Sequence, residues 1–108
     1  MKKISKKILT NIKNKFKKER EIFSYKAYEL IDSGVQIKDP ERIEINGNLI
    51  CGKNVEIGVN VVFDGLVSLG NNVVIGSNCI LSNCSIGNFS FIKSFSSIEG
   101  SKIGEHTL

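Results

Sequence analysis

The chain is 108 residues long with a formal net charge of +4, 41% apolar and 24% charged residues, which suits one small globular domain and not two. No apolar run is long enough for a transmembrane helix, and the basic start lacks the apolar h-region of a secretory signal. The charge is uneven: nine Lys/Arg stand against Glu19 in residues 1–20, and six Lys/Arg against ten acids in residues 21–108. The sequence is therefore a basic arm on a mildly acidic body.

The first predicted element is a basic amphipathic helix within residues 1–33. Ile4, Ile8, Ile12 and Phe16 recur every four residues, and Leu9, Phe16 and Phe23 every seven, which is helical spacing. Ser33-Gly34 is a suitable stop. In residues 34–50, Asp39-Pro40 forces an extended or turn conformation ahead of a lead-in strand.

From about residue 45 a period of six takes over. Apolar residues fill the lead position at Ile45, Cys51, Ile57, Phe63, Leu69, Ile75 and Leu81. After a five-residue step they continue at Ile86, Ile92 and Ile98, and after a second at Ile103. Glycine follows the lead at Gly52, Gly58, Gly70, Gly76, Gly87 and Gly104. Asparagine recurs three places after it, at Asn48, Asn54, Asn60, Asn72 and Asn78. Both residue types tolerate the left-handed backbone that sharp corners need. Small or β-branched residues stand four places after most leads, as at Val55, Val61, Val67, Val73 and Cys79. A short repeat of this kind predicts a solenoid. Three hexads make one triangular coil, giving about three coils over residues 51–108. Cys51, Leu69, Ile86 and Ile103 then stack in one column. Ile57, Ile75 and Ile92 form a second, and Phe63, Leu81 and Ile98 a third. The fold class is mainly β.

The three cysteines are odd in number and form no CxxC pair, so they read as reduced thiols. Cys51 and Cys79 fall at core positions and Cys84 near a corner. A nucleophilic role needs a neighbouring base, and one His with no paired cysteines argues against a zinc site.

The units LGNNVV (69–74), IGSNCI (75–80) and IGNFSF (86–91) resemble the hexapeptide repeat of the left-handed parallel β-helix acyltransferases. Together with the preceding helix, Gly34-Val35 and Asp39-Pro40, residues from about 18 to 108 resemble one subfamily more closely. It is the bifunctional N-acetylglucosamine-1-phosphate uridylyltransferase / glucosamine-1-phosphate acetyltransferase, at the junction of its two domains. The resemblance implies a cytoplasmic homotrimer assembled through the β-helix that supplies UDP-N-acetylglucosamine for cell-envelope precursors. It implies acetyl-CoA, glucosamine-1-phosphate and UTP as substrates, with Mg²⁺.

The chain departs from that family in what does the chemistry. No Gly precedes Gly34, so the nucleotide-binding loop is missing. Asn11 matches the family's metal-binding Asn only with a slip of one place. His106, the single His, follows an ordinary corner, whereas the family's general base lies further along. No catalytic, cofactor-binding or metal residue is assigned to this chain, which is expected to be an inert middle piece of a longer enzyme. Two alternatives are another hexapeptide acyltransferase, and a non-enzymatic β-helix displaying a polyanion-binding helix. A γ-class carbonic anhydrase is excluded by the lack of three histidines. Nucleic acid is not the expected partner.

Overall fold

A computed structural model describes residues 5–106. Helix α1 runs over Lys6–Asp32. At its start the Ser5 hydroxyl accepts from the Ile8 amide at 3.2 Å, satisfying one of the free N–H groups of a first turn. At its end Gly34 takes φ +111° and turns the chain. There the Val35 amide donates to the Leu30 carbonyl at 3.0 Å. Ile4, the first residue of the predicted helical face, lies outside the described residues. No described helix is long and apolar enough to cross a membrane.

Among the described residues nine strands follow: β1 (Gln36–Ile37), β2 (Ile43–Cys51), β3 (Glu56–Ile57), β4 (Val61–Leu69), β5 (Val74–Ile75), β6 (Ile80–Ile86), β7 (Phe91–Ile92), β8 (Ser97–Glu99) and β9 (Lys102–Ile103). All pairings are parallel. One sheet has the order β1-β3-β5-β7 and the other β2-β4-β6-β8, with β9 also on β6. Each strand thus lies on the strand one turn earlier, as in a β-helix, and the architecture fits the left-handed form. The stacking reproduces the predicted columns. Cys51 pairs with Leu69, Leu69 with Ile86 and Ile86 with Ile103. Ile57 pairs with Ile75 and Ile75 with Ile92. Phe63 pairs with Leu81 and Leu81 with Ile98.

The solenoid has about four turns, because it begins earlier than the repeat beginning at Cys51 implies. Ile37 pairs with Ile57, and β2 pairs with β4 along its whole length from Ile43↔Val61 to Cys51↔Leu69. The Asp-Pro segment is a corner of the first coil. Pro40 lies between β1 and β2, where no ladder N–H is required. The Asp39 carboxylate accepts from the Glu41 amide at 3.0 Å and its carbonyl from the Arg42 amide at 3.0 Å, a turn-closing role that suits Asp.

The first five-residue step also has a place. The β4–β6 register shifts between Asp64 and Val67, so Asn83 alone spans what Gly65 and Leu66 span one coil earlier. The core is a stack of lead residues and inward small residues. Ile45, Phe63, Leu69, Ile75, Leu81, Val55, Val61, Val67, Val73 and Cys79 are all at most 2% exposed. Branched aliphatics suit such a stack because each side chain lies on its equivalent in the next coil.

Helix α1 closes the first coil. Ala27 is fully buried, with Leu30 packed on the same cluster. The Lys26 ammonium donates to the carbonyls of Ile45 and Gly47 at 3.2 and 3.1 Å, and the Arg20 guanidinium donates to that of Ile43. These alternate carbonyls lie on the edge of β2 that no strand covers, and an open edge is a template for unwanted pairing.

Candidate functional site

The polar residues of the repeat sit at the corners, so a site on this solenoid is sought there and on the faces between. Asn54, Asn60, Asn72 and Asn78 all have φ of 56–60°, as their place in the repeat predicts. The Asn54 side-chain amide donates to that of Asn72, and the Asn60 amide to that of Asn78, each at 3.3 Å. A second set of side chains reaches back to the coil before. The Asn71 side-chain oxygen accepts from the Lys53 amide at 2.8 Å, and the Asn88 oxygen from the Asn71 amide at 2.7 Å. The Ser77 hydroxyl accepts from the Val59 amide at 3.0 Å, and the Ser94 hydroxyl from the Ser77 amide at 3.1 Å. The glycine after each lead leaves room for this. A Cβ on Gly58 would lie 2.7 Å from the Ser77 nitrogen. The regular Asn and Ser residues are thus committed to holding coil on coil.

Asn48 departs from the corner rule. It lies inside β2, and Gly47 takes the positive φ, at +110°. The later corners depart in the other direction: Phe89, Phe95 and His106 hold left-handed φ of 60°, 65° and 56°. Each is three places after a lead residue, so the repeat marks the position although the residue type does not. Phe89 and His106 stack with centroids 5.2 Å apart and planes 6° from parallel. His106 is thereby an exposed corner residue in column with Asn54, Asn72 and Phe89.

An open groove of about 770 Å³ lies where the end of α1 meets the β1-β3-β5-β7 face. Its floor is Val35, Ile37, Gly58, Val74 and Gly76, and its polar rim is Lys38, Glu56, Ser77 and Ser94. The Ser77 and Ser94 hydroxyls already accept corner bonds. The groove can hold an apolar or extended group, and it presents no paired nucleophile and base of the kind acyl transfer uses.

The cysteines are inward. Cys79 is fully buried and Cys84 is 5% exposed, so Cys84, beside the Asn83 corner, belongs to the core as well. Burial pushes the Cys51 thiol up to about 11. It raises Cys84 too, partly opposed by a backbone bond from Ser82. A thiol so shifted is a poor nucleophile at neutral pH. Asn11 is exposed on α1 near Asn14, Lys15, Lys18 and Glu19. No group of three His, Cys, Asp or Glu able to hold a metal occurs among the described residues. Mg²⁺ asks for hard oxygen ligands that include carboxylates, and the lysines around Asn11 do not fit it.

No family profile matches the chain. The chain is similar to proteins named bifunctional protein GlmU. It is 46% identical to that of Burkholderia multivorans (strain ATCC 17616 / 249) over 82 residues, 76% of this chain and 18% of that protein. With the Azoarcus sp. (strain BH72) protein it shares 45% over 78 residues, 72% of this chain and 17% of that one. With the Albidiferax ferrireducens protein it shares 42% over 86 residues, 80% and 18%. The chain therefore spans less than a fifth of the length of these relatives.

Proposed function

We propose, from its homology to one segment of the GlmU proteins, that this chain supplies the opening of the acetyltransferase β-helix of a bifunctional enzyme making UDP-N-acetylglucosamine. The reactions are acetyl transfer from acetyl-CoA to glucosamine-1-phosphate and uridylyl transfer from UTP with Mg²⁺. The setting is the cytoplasm and the assembly a homotrimer through the β-helix. The observation that carries this reading is the 46% identity over 76% of the chain. The registered columns support it, since a stack built coil on coil is what that identity predicts.

The role of these residues is scaffolding. The Asn and Ser corners are occupied in structural bonds, Cys79 and Cys84 are buried and Cys51 half-buried, and His106 is stacked on Phe89. The 108-residue chain by itself is accordingly inert, and later coils would carry the acid-base chemistry. The test combines the purified chain with acetyl-CoA and glucosamine-1-phosphate and follows release of the CoA thiol. No release above the protein-free rate is expected, and turnover would overturn the inert reading. Sedimentation equilibrium tests the assembly. A mass of about 36 kDa, three copies of the 11.9-kDa chain, is expected, and a monomer at micromolar concentration would remove the trimer.

A further inference from the structure

We propose that the outward face of the free half of α1 binds the phosphate backbone of double-stranded nucleic acid. Residues 6–20 carry seven Lys/Arg against Glu19, which sequence alone reads as an ordinary solvated face. The fold adds their placement. Contact with the solenoid begins near Arg20 and runs through Phe23, Ala27 and Leu30. At 100° per residue, Leu9, Ile12 and Phe16 continue that same stripe.

The opposite face holds Lys7, Thr10, Asn11, Asn14 and Lys18, with Lys17 and then Lys6 on its flank toward the stripe and Glu21 as its one carboxylate. All of these are exposed. Among the described residues, none of the ammonium groups from Lys6 to Lys18 makes a hydrogen bond or an ion pair, whereas the Arg20 and Lys26 side chains are engaged with the solenoid. The free segment is about 20 Å long, enough to cross a major groove about 12 Å wide. Lysines flanking Thr and Asn are what phosphate contacts draw on.

Geometry decides between this polyanion and an anionic bilayer. A helix lying in a bilayer buries its apolar stripe. Here Ile12 and Phe16 face the side on which the solenoid sits, so a flat membrane reaching them would meet the solenoid first. On the basic face between Lys6 and Lys18 no apolar residue stands to insert, and the exposed Ile22 and Tyr25 lie at its inner end, next to the solenoid.

The test is fluorescence anisotropy of the full chain with a labelled DNA duplex of about 20 base pairs. With four phosphates neutralised, the slope of log K against log salt is about −3.6, a loss of about 150-fold between about 50 and 200 mM. The variant Lys6→Gln/Lys7→Gln/Lys17→Gln/Lys18→Gln should lose both the binding and the slope. The control Lys38→Gln/Lys53→Gln/Lys93→Gln/Lys102→Gln, whose changes all lie on the body, should keep them, as should Ile12→Ser/Phe16→Ser. A circular-dichroism melt checks that each variant retains the solenoid. Failure to bind at the lowest salt, or equal loss in the body control, overturns the proposal. So does binding that prefers vesicles containing anionic phosphatidylglycerol and vanishes with Ile12→Ser/Phe16→Ser.

Discussion

The corner column Gly47–Gly65–Asn83–Gly100 allows conformational strain to be separated from steric stacking within one protein. Gly47 and Gly100 both hold positive φ, at +110° and +62°, so alanine is disfavoured at each. Their surroundings differ. A Cβ on Gly47 would fall onto the Gly65 carbonyl oxygen, with the carbonyl carbon at 3.0 Å and Cα at 3.1 Å; on Gly100 it would meet nothing within 4 Å. The Gly65 atoms are backbone, paired with Gly47 in the β2–β4 ladder at the point where the β4–β6 register shifts, and not the far end of a flexible side chain that could move aside cheaply. Gly100→Ala incurs a left-handed penalty of about 1 kcal/mol, offset by about 0.4–1 kcal/mol of lost unfolded-chain entropy, and should cost about 0–1 kcal/mol. Gly47→Ala adds overpacking of about 1–3 kcal/mol to strain of similar size, about 2–5 kcal/mol in all. Urea denaturation measures both. The Gly47→Ala midpoint should fall by about 1–3 M with m unchanged, given m near 1–3 kcal/mol/M. Equal shifts for the two variants would refute the stacking argument, as would a Gly47→Ala midpoint within error of the parent.

Other consequences of the packing can be checked as directly. Lys26→Met uncovers the carbonyls of Ile45 and Gly47; it should cost about 1 kcal/mol for a half-exposed charged donor and produce concentration-dependent association by light scattering, and strict monodispersity would count against the edge-cap role. Phe95→Asn replaces an 80%-exposed aromatic at φ 65° with the residue used one coil earlier at Asn78, and should raise stability by about 0.5–1 kcal/mol in a thermal melt. The Cys51 thiol, raised to about 11 from 9.0 by burial, favours folding while protonated. Its contribution is full below about pH 9 and lost as pH rises toward 11. Cys51→Val should therefore have a melting temperature that falls less than the parent's over that range.

The columns were legible in the sequence because a six-residue period leaves little freedom. Once Cys51, Leu69 and Ile86 are assigned inward, their neighbours in the next coil follow by counting, and the observed registers agree. The first coil was harder to read. Asp39-Pro40 interrupts the period, and Ile37 is followed by Ile57 at a longer interval than later coils use. A proline at a solenoid corner and a proline at a domain boundary give the same local signal, and only the pairing of Gln36 with Glu56 separates them. The later corners hid for a different reason. A left-handed position is advertised by Asn or Gly, whereas Phe89, Phe95 and His106 are held there by the flanking ladder rather than by their own preference.

That same regularity explains what occupies the polar residues of the repeat. In an enzyme loop, an Asn, Ser or His with a free polar atom stands out because the backbone does not need it. In a solenoid of this narrow kind, each coil leaves amides at its corners that the next coil must satisfy. Asn71, Ser77, Asn83 and Asn88 satisfy them. The periodic polar residues are thus spent on stacking, and catalysis on such a scaffold has to come from residues that break the period or from a neighbouring solenoid. The aperiodic residues here are the basic arm and the aromatic corners. The lysines from Lys6 to Lys18 are exposed, with no ion pair among the described residues, while the corner His106 is stacked on Phe89. An interaction role for this segment therefore belongs with α1, and the coils themselves act as its scaffold.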